Sequence, residues 1–262
     1  MSNEEKDRYL SNSLVRGLEI LKMFNEDKPT LSLVEIANNL GVSRTTPFRL
    51  LYTLQTMGYL RQDESTKRYE LSPKVLELGF TYLNTMQLPE IARPYLEELR
   101  DQTGASVHIG ILDGREVAYI ARIPGKGVTT INVTIGSRLP AHATAMGKIL
   151  LAYQSKENLK KILFGTELQP FTEQTKTQIM ELKQELNSIR QKEYSISNEE
   201  FESGIRSIAA PIFNNKGSVI ASVNVVAPVT TLDDKFSEEV VLPALCKTAN
   251  QLSAFSGYRL PK

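Results

Sequence analysis

Apolar side chains recur at helical spacing near the start of the chain. Leu14, Leu18 and Leu21 form one stripe, with Ile20 and Phe24 beside it, and predict a helix over 12–25 after a polar, disordered tail at 1–10. Beyond the Asp27-Lys28-Pro29 break, Ser32 and Glu35 form an S-x-x-E pattern. This reciprocal cap opens a second helix with Leu33, Ile36, Ala37 and Leu40 inward. Gly41 supplies the left-handed conformation that ends it. Ser43 is placed to cap a third helix running to about Met57, with Leu50, Leu51 and Leu54 inward and Pro47 as a fourth helical residue lacking a donor. Gly58 stops that helix, and two short apolar stretches around Asp63-Glu64-Ser65-Thr66 predict a hairpin. Three helices and a hairpin predict a winged helix-turn-helix over 11–72, its helix-turn-helix at 33–52 and its wing at 59–71.

A further helix starts at Pro73. Val75, Leu76, Leu78, Phe80, Tyr82 and Leu83 make it too apolar for a solvated connector, so 73–87 is read as a linker helix that packs on another chain. Gln87-Leu88-Pro89 marks the start of a second domain, 88–259. Its predicted order is a helix at 89–103, strands at 105–112, 116–123 and 129–135, and helices near 142–153, 156–164 and 174–192. Two strands then flank the Asn214–Gly217 turn, and a helix over 234–256 closes the domain. Helices outside a mostly antiparallel sheet give an α+β domain behind a mainly α one.

Charge is balanced overall, 31 basic against 30 acidic residues in 262, so a nucleic-acid signal has to be local. It is. No acidic residue occurs between Glu35 and Asp63, while Arg44, Arg49 and Arg61 all fall there. With the leucines inward, Thr45, Arg49 and Tyr52 share the outer face, where an arginine is able to read guanine in a major groove. Ser43, Thr45 and Thr46 are candidates for phosphates near the helix start, Arg44 beside them for DNA contact, and Lys67 and Arg68 for phosphates or the minor groove from the wing. The competing reading is a solvated basic face used for protein contact.

In the second domain, Pro140 before a predicted helix, with Ala145 and Gly147 close behind, predicts an anion site at a helix start. Arg138 is placed to pair with a carboxylate there or in a surface salt bridge, and His142 is a candidate contact. Asn224 is polar inside an apolar strand and either bonds neighbouring backbone or faces a ligand. Lys148 reads as a solvated helix residue, and His108 as a satisfied core histidine. The only cysteine, Cys246, reads as a small buried residue.

Two histidines with no nucleophile motif and no metal spacing argue against an enzyme and against a cofactor, although an α+β enzyme remains the rival class. No apolar run nears the roughly 18 residues needed to span a bilayer, and the polar, acidic start is unlike a secretory leader. The chain reads as cytoplasmic.

Several stretches resemble the IclR family over about 12–257. They are SLVRGLEILKMF, SRTTPFRLLYTLQTMGYL, IGSRLPAHATAMGKILLA, and Glu200 followed by Ser207 to Asn214 as SIAAPIFN. The GSRLPA…TAMGK wording is most similar to the branch regulating protocatechuate and 4-hydroxybenzoate catabolism. Glu193 departs from the family, which usually has glycine before the aromatic residue, here Tyr194. The resemblance implies a transcription regulator, either repressor or activator, acting as a homodimer or tetramer on a palindromic double-stranded DNA operator. It also implies a GAF-like effector domain sensing a small carboxylate. Carried over by position, the effector pocket takes in Val128, Ile131, Ala145, Met146, Ile205, Ser207, Asn224 and Val226, with Ser197 beside them.

Overall fold

The computed structural model describes residues 10–126 and 133–258. The chain divides into two compact units between Thr85 and Met86.

The first unit holds α1 (Asn12–Lys22), β1 (Thr30–Leu31), α2 (Leu33–Leu40), α3 (Thr45–Thr56), β2 (Leu60–Gln62), β3 (Tyr69–Leu71) and α4 (Val75–Asn84). The reciprocal cap forms as the S-x-x-E spacing requires. Ser32 Oγ accepts from the Glu35 amide at 3.3 Å, and the Glu35 carboxylate accepts from the Ser32 amide at 2.7 Å. Gly41 ends α2 at φ 64°. The start of α3 differs from expectation. Arg44 rather than Ser43 precedes it, Pro47 is its third residue and has no N–H for a cap to receive, and the Ser43 hydroxyl bonds Thr45 Oγ1 instead. Ile20, Phe24, Leu31, Ile36, Leu51, Leu60 and Tyr69 form the core, with Leu50 and Leu54 packed beside them. The strands form an antiparallel sheet of order β1-β3-β2, with the two-residue β1 too short to be legible as a pattern.

The second unit opens with α5 (Gln87–Thr103). This helix runs through the expected Gln87-Leu88-Pro89 break because Pro89 falls in its first turn, where no N–H is needed. Among the described residues six strands follow in antiparallel order β6-β5-β4-β9-β8-β7: β4 (Ser106–Asp113), β5 (Glu116–Ile123), β6 (Arg138–Pro140), β7 (Ser195–Asn198), β8 (Ile205–Phe213) and β9 (Val219–Pro228). The expected strand at 129–135 lies mostly outside the described residues. Residues 133–135 carry no strand, and the third strand is β6. The short edge strand β7 was not anticipated.

Against one face pack α5 and α10 (Leu242–Phe255), the latter reached from α9 (Asp234–Phe236) through a π-helical turn at Ser237–Val241. Against the opposite face packs α6 (Ala145–Ala152), backed by α8 (Ile179–Lys192), while α7 (Lys156–Leu163) lies outside. A register shift between Ile109 and Gly110 sets Tyr119 opposite Gly110, so Tyr119 joins His108 on the α6 face. Gly147 serves packing: a Cβ there would lie 2.2 Å from the Ala141 carbonyl oxygen, so the backbone it admits is the chain's own.

Candidate functional site

In the first unit, α3 presents Arg49 and Tyr52 to solvent, with Tyr52 66% exposed, and Thr45 stands exposed on the same outer face. Arg44 and Ser43 are exposed just before the helix, and Thr46 is half-buried. Between α1 and the start of α3 runs a polar cleft of about 550 Å³ lined by Ser13, Arg16, Thr45, Thr46, Arg49 and Thr53. Arg16 thus stands with the α3 cation, although in sequence it reads only as a polar position beside the leucine stripe. At the wing tip, Asp63 accepts from the amides and hydroxyls of Ser65 and Thr66, which hold its carboxyl well below the usual range. The exposed Lys67 beside it adopts a left-handed φ of 56°.

Arg68 is committed elsewhere. Its guanidinium donates to Thr30 Oγ1 and to the Thr30 carbonyl, both at 2.9 Å, and pairs with Glu35 at 3.0 Å. Ser32, followed by Arg68, lowers the Glu35 carboxyl to about 2. Arg68 therefore ties the wing to the base of α2.

In the second unit, a cavity of about 340 Å³ lies between the sheet and the start of α6. The sheet contributes His108, Tyr119, Leu139, Ser197, Ile205, Ser207, Asn224 and Val226, the residues before α6 contribute Ala143 and Thr144, and the loop after β7 contributes Phe201 and Glu202. Of the effector residues carried over by position, Ser197, Ile205, Ser207, Asn224 and Val226 meet here. Val128 and Ile131 lie outside the described residues.

Four candidates are not part of this lining. Ala145 and Met146 are wholly buried outside it, α6 beginning at Ala145 with Thr144 as its cap rather than directly after Pro140. Arg138 points to the surface, paired with Asp113 at 2.8 Å and Glu116 at 2.7 Å. His142 lies 3.0 Å through Nε2 from the Gln169 carbonyl oxygen and rests against Phe171.

The polar chemistry of the cavity sits on neighbouring strands. Asn224 Nδ2 donates to Ser207 Oγ at 2.8 Å, and Asn224 Oδ1 lies 3.1 Å from His108 Nδ1. The amide therefore bonds side chains rather than backbone while facing the cavity. His108 is 1% exposed, and Tyr119 stands edge-on to its ring. Burial holds its imidazole down near a pKa of about 4, against the Asn224 bond that raises it and with Arg122 lowering it further. Sequence reading assigned His108 to the core. Only the pairing of His108 with Asn224 across β4 and β9 reveals it as a cavity residue.

Beside the cavity, Lys148 is not solvated but fully buried. Its ammonium bonds Glu185 at 2.7 Å, Glu200 at 2.6 Å and the Ile196 carbonyl at 3.1 Å, and Lys176 approaches both carboxylates from outside. Glu200 directly precedes the cavity-lining Phe201. Its carbonyl accepts from Thr175 at 2.6 Å.

A basic helix-turn-helix in one unit and a cavity against the sheet in the other find counterparts in known proteins along almost all of the chain. Residues 13–64 match the IclR helix-turn-helix domain, and residues 80–254 match the bacterial transcriptional regulator IclR C-terminal domain. The regulator XynR of Escherichia coli is 36% identical, covering 85% of this chain and 88% of its own. The p-hydroxybenzoate hydroxylase transcriptional activator of Acinetobacter baylyi is 34% identical, covering 91% and 89%. Among solved structures, a transcriptional regulator of Rhodococcus sp. RHA1 superposes with a TM-score of 0.84 at 35% identity, covering 95% of this chain and 99% of its own. The inducer-binding domain of the Acinetobacter PobR transcription factor, a double mutant in complex with 3-hydroxybenzoic acid, superposes with a TM-score of 0.59 at 32% identity, covering 63% and 97%. With both halves accounted for, the chain belongs to the IclR family of bacterial transcriptional regulators.

Proposed function

We propose that the first unit binds a palindromic operator in the cytoplasm as one half of a homodimer, and that the second unit senses a small aromatic carboxylate. One observation carries the sensing reading: a largely apolar cavity joins the start of an eight-residue helix to a buried polar cluster. Thr144, which caps α6 by accepting from the Gly147 amide, lines the cavity, and the N-terminal partial charge of the helix behind it favours an anion. A carboxylate there leaves Tyr119, Ile205, Val226 and Phe201 for an apolar ring, in a volume suited to a small ligand. The relative that activates p-hydroxybenzoate hydroxylase and the PobR domain holding 3-hydroxybenzoic acid support the aromatic choice.

On the DNA side, Arg49 is the candidate base reader. Ser43, Arg44, Thr45, Thr46, Tyr52 and Lys67 supply phosphate contacts.

A thermal-shift screen of benzoate, hydroxybenzoates and short aliphatic acids tests the sensor. Ligand at a hundred times its Kd stabilises by about 2.7 kcal/mol, and an unchanged transition with every acid overturns the carboxylate reading. On the DNA side, Arg49→Ala weakens specific operator binding by about 1–3 kcal/mol, whereas Lys67→Ala weakens binding to all sequences and lowers the salt slope. Unchanged operator affinity for Arg49→Ala removes Arg49 from base reading.

A further inference from the structure

The hydrogen bonds at the sheet side of the cavity fix a polarity. Asn224 spends its amide nitrogen on Ser207, so its oxygen faces His108 and accepts, and His108 Nδ1 is the donor. A neutral imidazole has one proton. With that proton on Nδ1, Nε2 keeps a bare lone pair, and it is buried with no hydrogen-bond partner among the described residues. Burial and the neighbouring Arg122 both favour the neutral ring. Ser207 accepts from Asn224, which leaves its own proton for a ligand. An acceptor on β4 and a donor on β8 thus flank β9 among the residues that line the cavity.

A plain carboxylate is an acceptor throughout. It suits the Ser207 proton and the positive end of α6, but it sets lone pair against lone pair at His108. We propose that the cavity selects an acid carrying a hydroxyl group, whose O–H donates to His108 Nε2, and that His108 is the residue separating hydroxylated from unsubstituted acids. This rests on the effector reading above and names the group that reading left open.

Two experiments on the full-length protein test it. The first needs no ligand. The chain has two histidines, so ¹⁵N-histidine NMR of the His142→Gln protein isolates His108. The expected spectrum is the Nδ1–H tautomer, unchanged from about pH 6 to about pH 8. An Nε2–H tautomer, or an imidazolium in that range, overturns the proposal.

The second experiment is calorimetric titration with 4-hydroxybenzoate, 3-hydroxybenzoate, benzoate and 4-methoxybenzoate. At least one phenol binds about tenfold to a hundredfold more tightly than benzoate, and the methoxy acid, which keeps the oxygen but lacks the donor, binds no better than benzoate. In His108→Phe the phenol preference falls to about twofold or less while benzoate still binds, which shows an intact cavity. Parity of phenols and benzoate in wild type, a preference for methoxybenzoate over benzoate, or phenol selection that survives in His108→Phe overturns it. If none of the four binds, the aromatic reading falls instead. The comparison then passes to lactate against propanoate, where preference for lactate sustains hydroxyl selection and parity overturns it.

Discussion

At the scale of single residues, the cavity depends on a histidine that must stay uncharged. His108 has its pKa lowered from an ordinary 6.5 to about 4. The unfolded chain therefore binds the proton more readily, and folding loses stability as pH falls from about 6.5 toward about 4. The loss reaches about 2 kcal/mol by pH 5, and it is absent at pH 8, where both states are neutral. Denaturant titrations at pH 8 and pH 5 check this: wild type loses about 2 kcal/mol more than His108→Gln, and equal losses refute it. The sequence made part of this cluster visible. Asn224 stands out as an amide in an apolar strand, whereas His108 in SVHIGILD looks like any core histidine. Its partner is 116 residues away, and only strand register joins them. Glu193 illustrates the converse. The missing glycine flagged a special backbone, and the residue ends α8 in the left-handed region at φ 62°.

At the scale of elements, most helices and strands follow from periodicity, because the stripe on each is long enough to average out single exceptions. The boundaries that moved lie where one hydrogen bond decides. Thr144 delays the start of α6, and Arg44 at the cap position of α3 has no side-chain acceptor to offer. Lys148 was illegible for another reason: a lysine on a short helix reads as solvated until its carboxylates are known. Glu185 from α8 and Glu200 from the loop after β7 arrive from 37 and 52 residues away. Lys148→Met leaves those carboxylates short of their buried cation. It is expected to destabilise the second unit by about 3–5 kcal/mol in denaturant unfolding and to loosen the loop bearing Phe201. A loss below about 1 kcal/mol would mean that Lys176 and water replace the buried ammonium.

At the scale of the whole molecule, exposed apolar side chains mark where another chain belongs. Leu14 and Leu18 on α1 are 64% and 50% exposed, and Leu76, Leu78 and Tyr82 on α4 are 53%, 62% and 51% exposed. Such a grouping is costly in a monomer and suits the dimer we propose. Sedimentation at micromolar concentration is expected to give twice the 29.4 kDa chain mass, and Leu14→Glu combined with Leu78→Glu to return the monomer. A wild-type monomer, with and without DNA, refutes the dimer. The sequence exposed this surface, since the linker helix was too apolar to be solvated. The arginine clamp between the wing and the base of α2 was beyond its reach, because Arg68 meets Thr30 38 residues away. That clamp has a consequence for motion. The wing and the helix pair are joined by side chains as well as by β1 and β3, so native-state amide exchange from α2 and β3 should report one shared opening event rather than an independently fraying wing. A wing already held in place spends little entropy on ordering itself when it reaches DNA, and association then proceeds as the docking of a preformed surface.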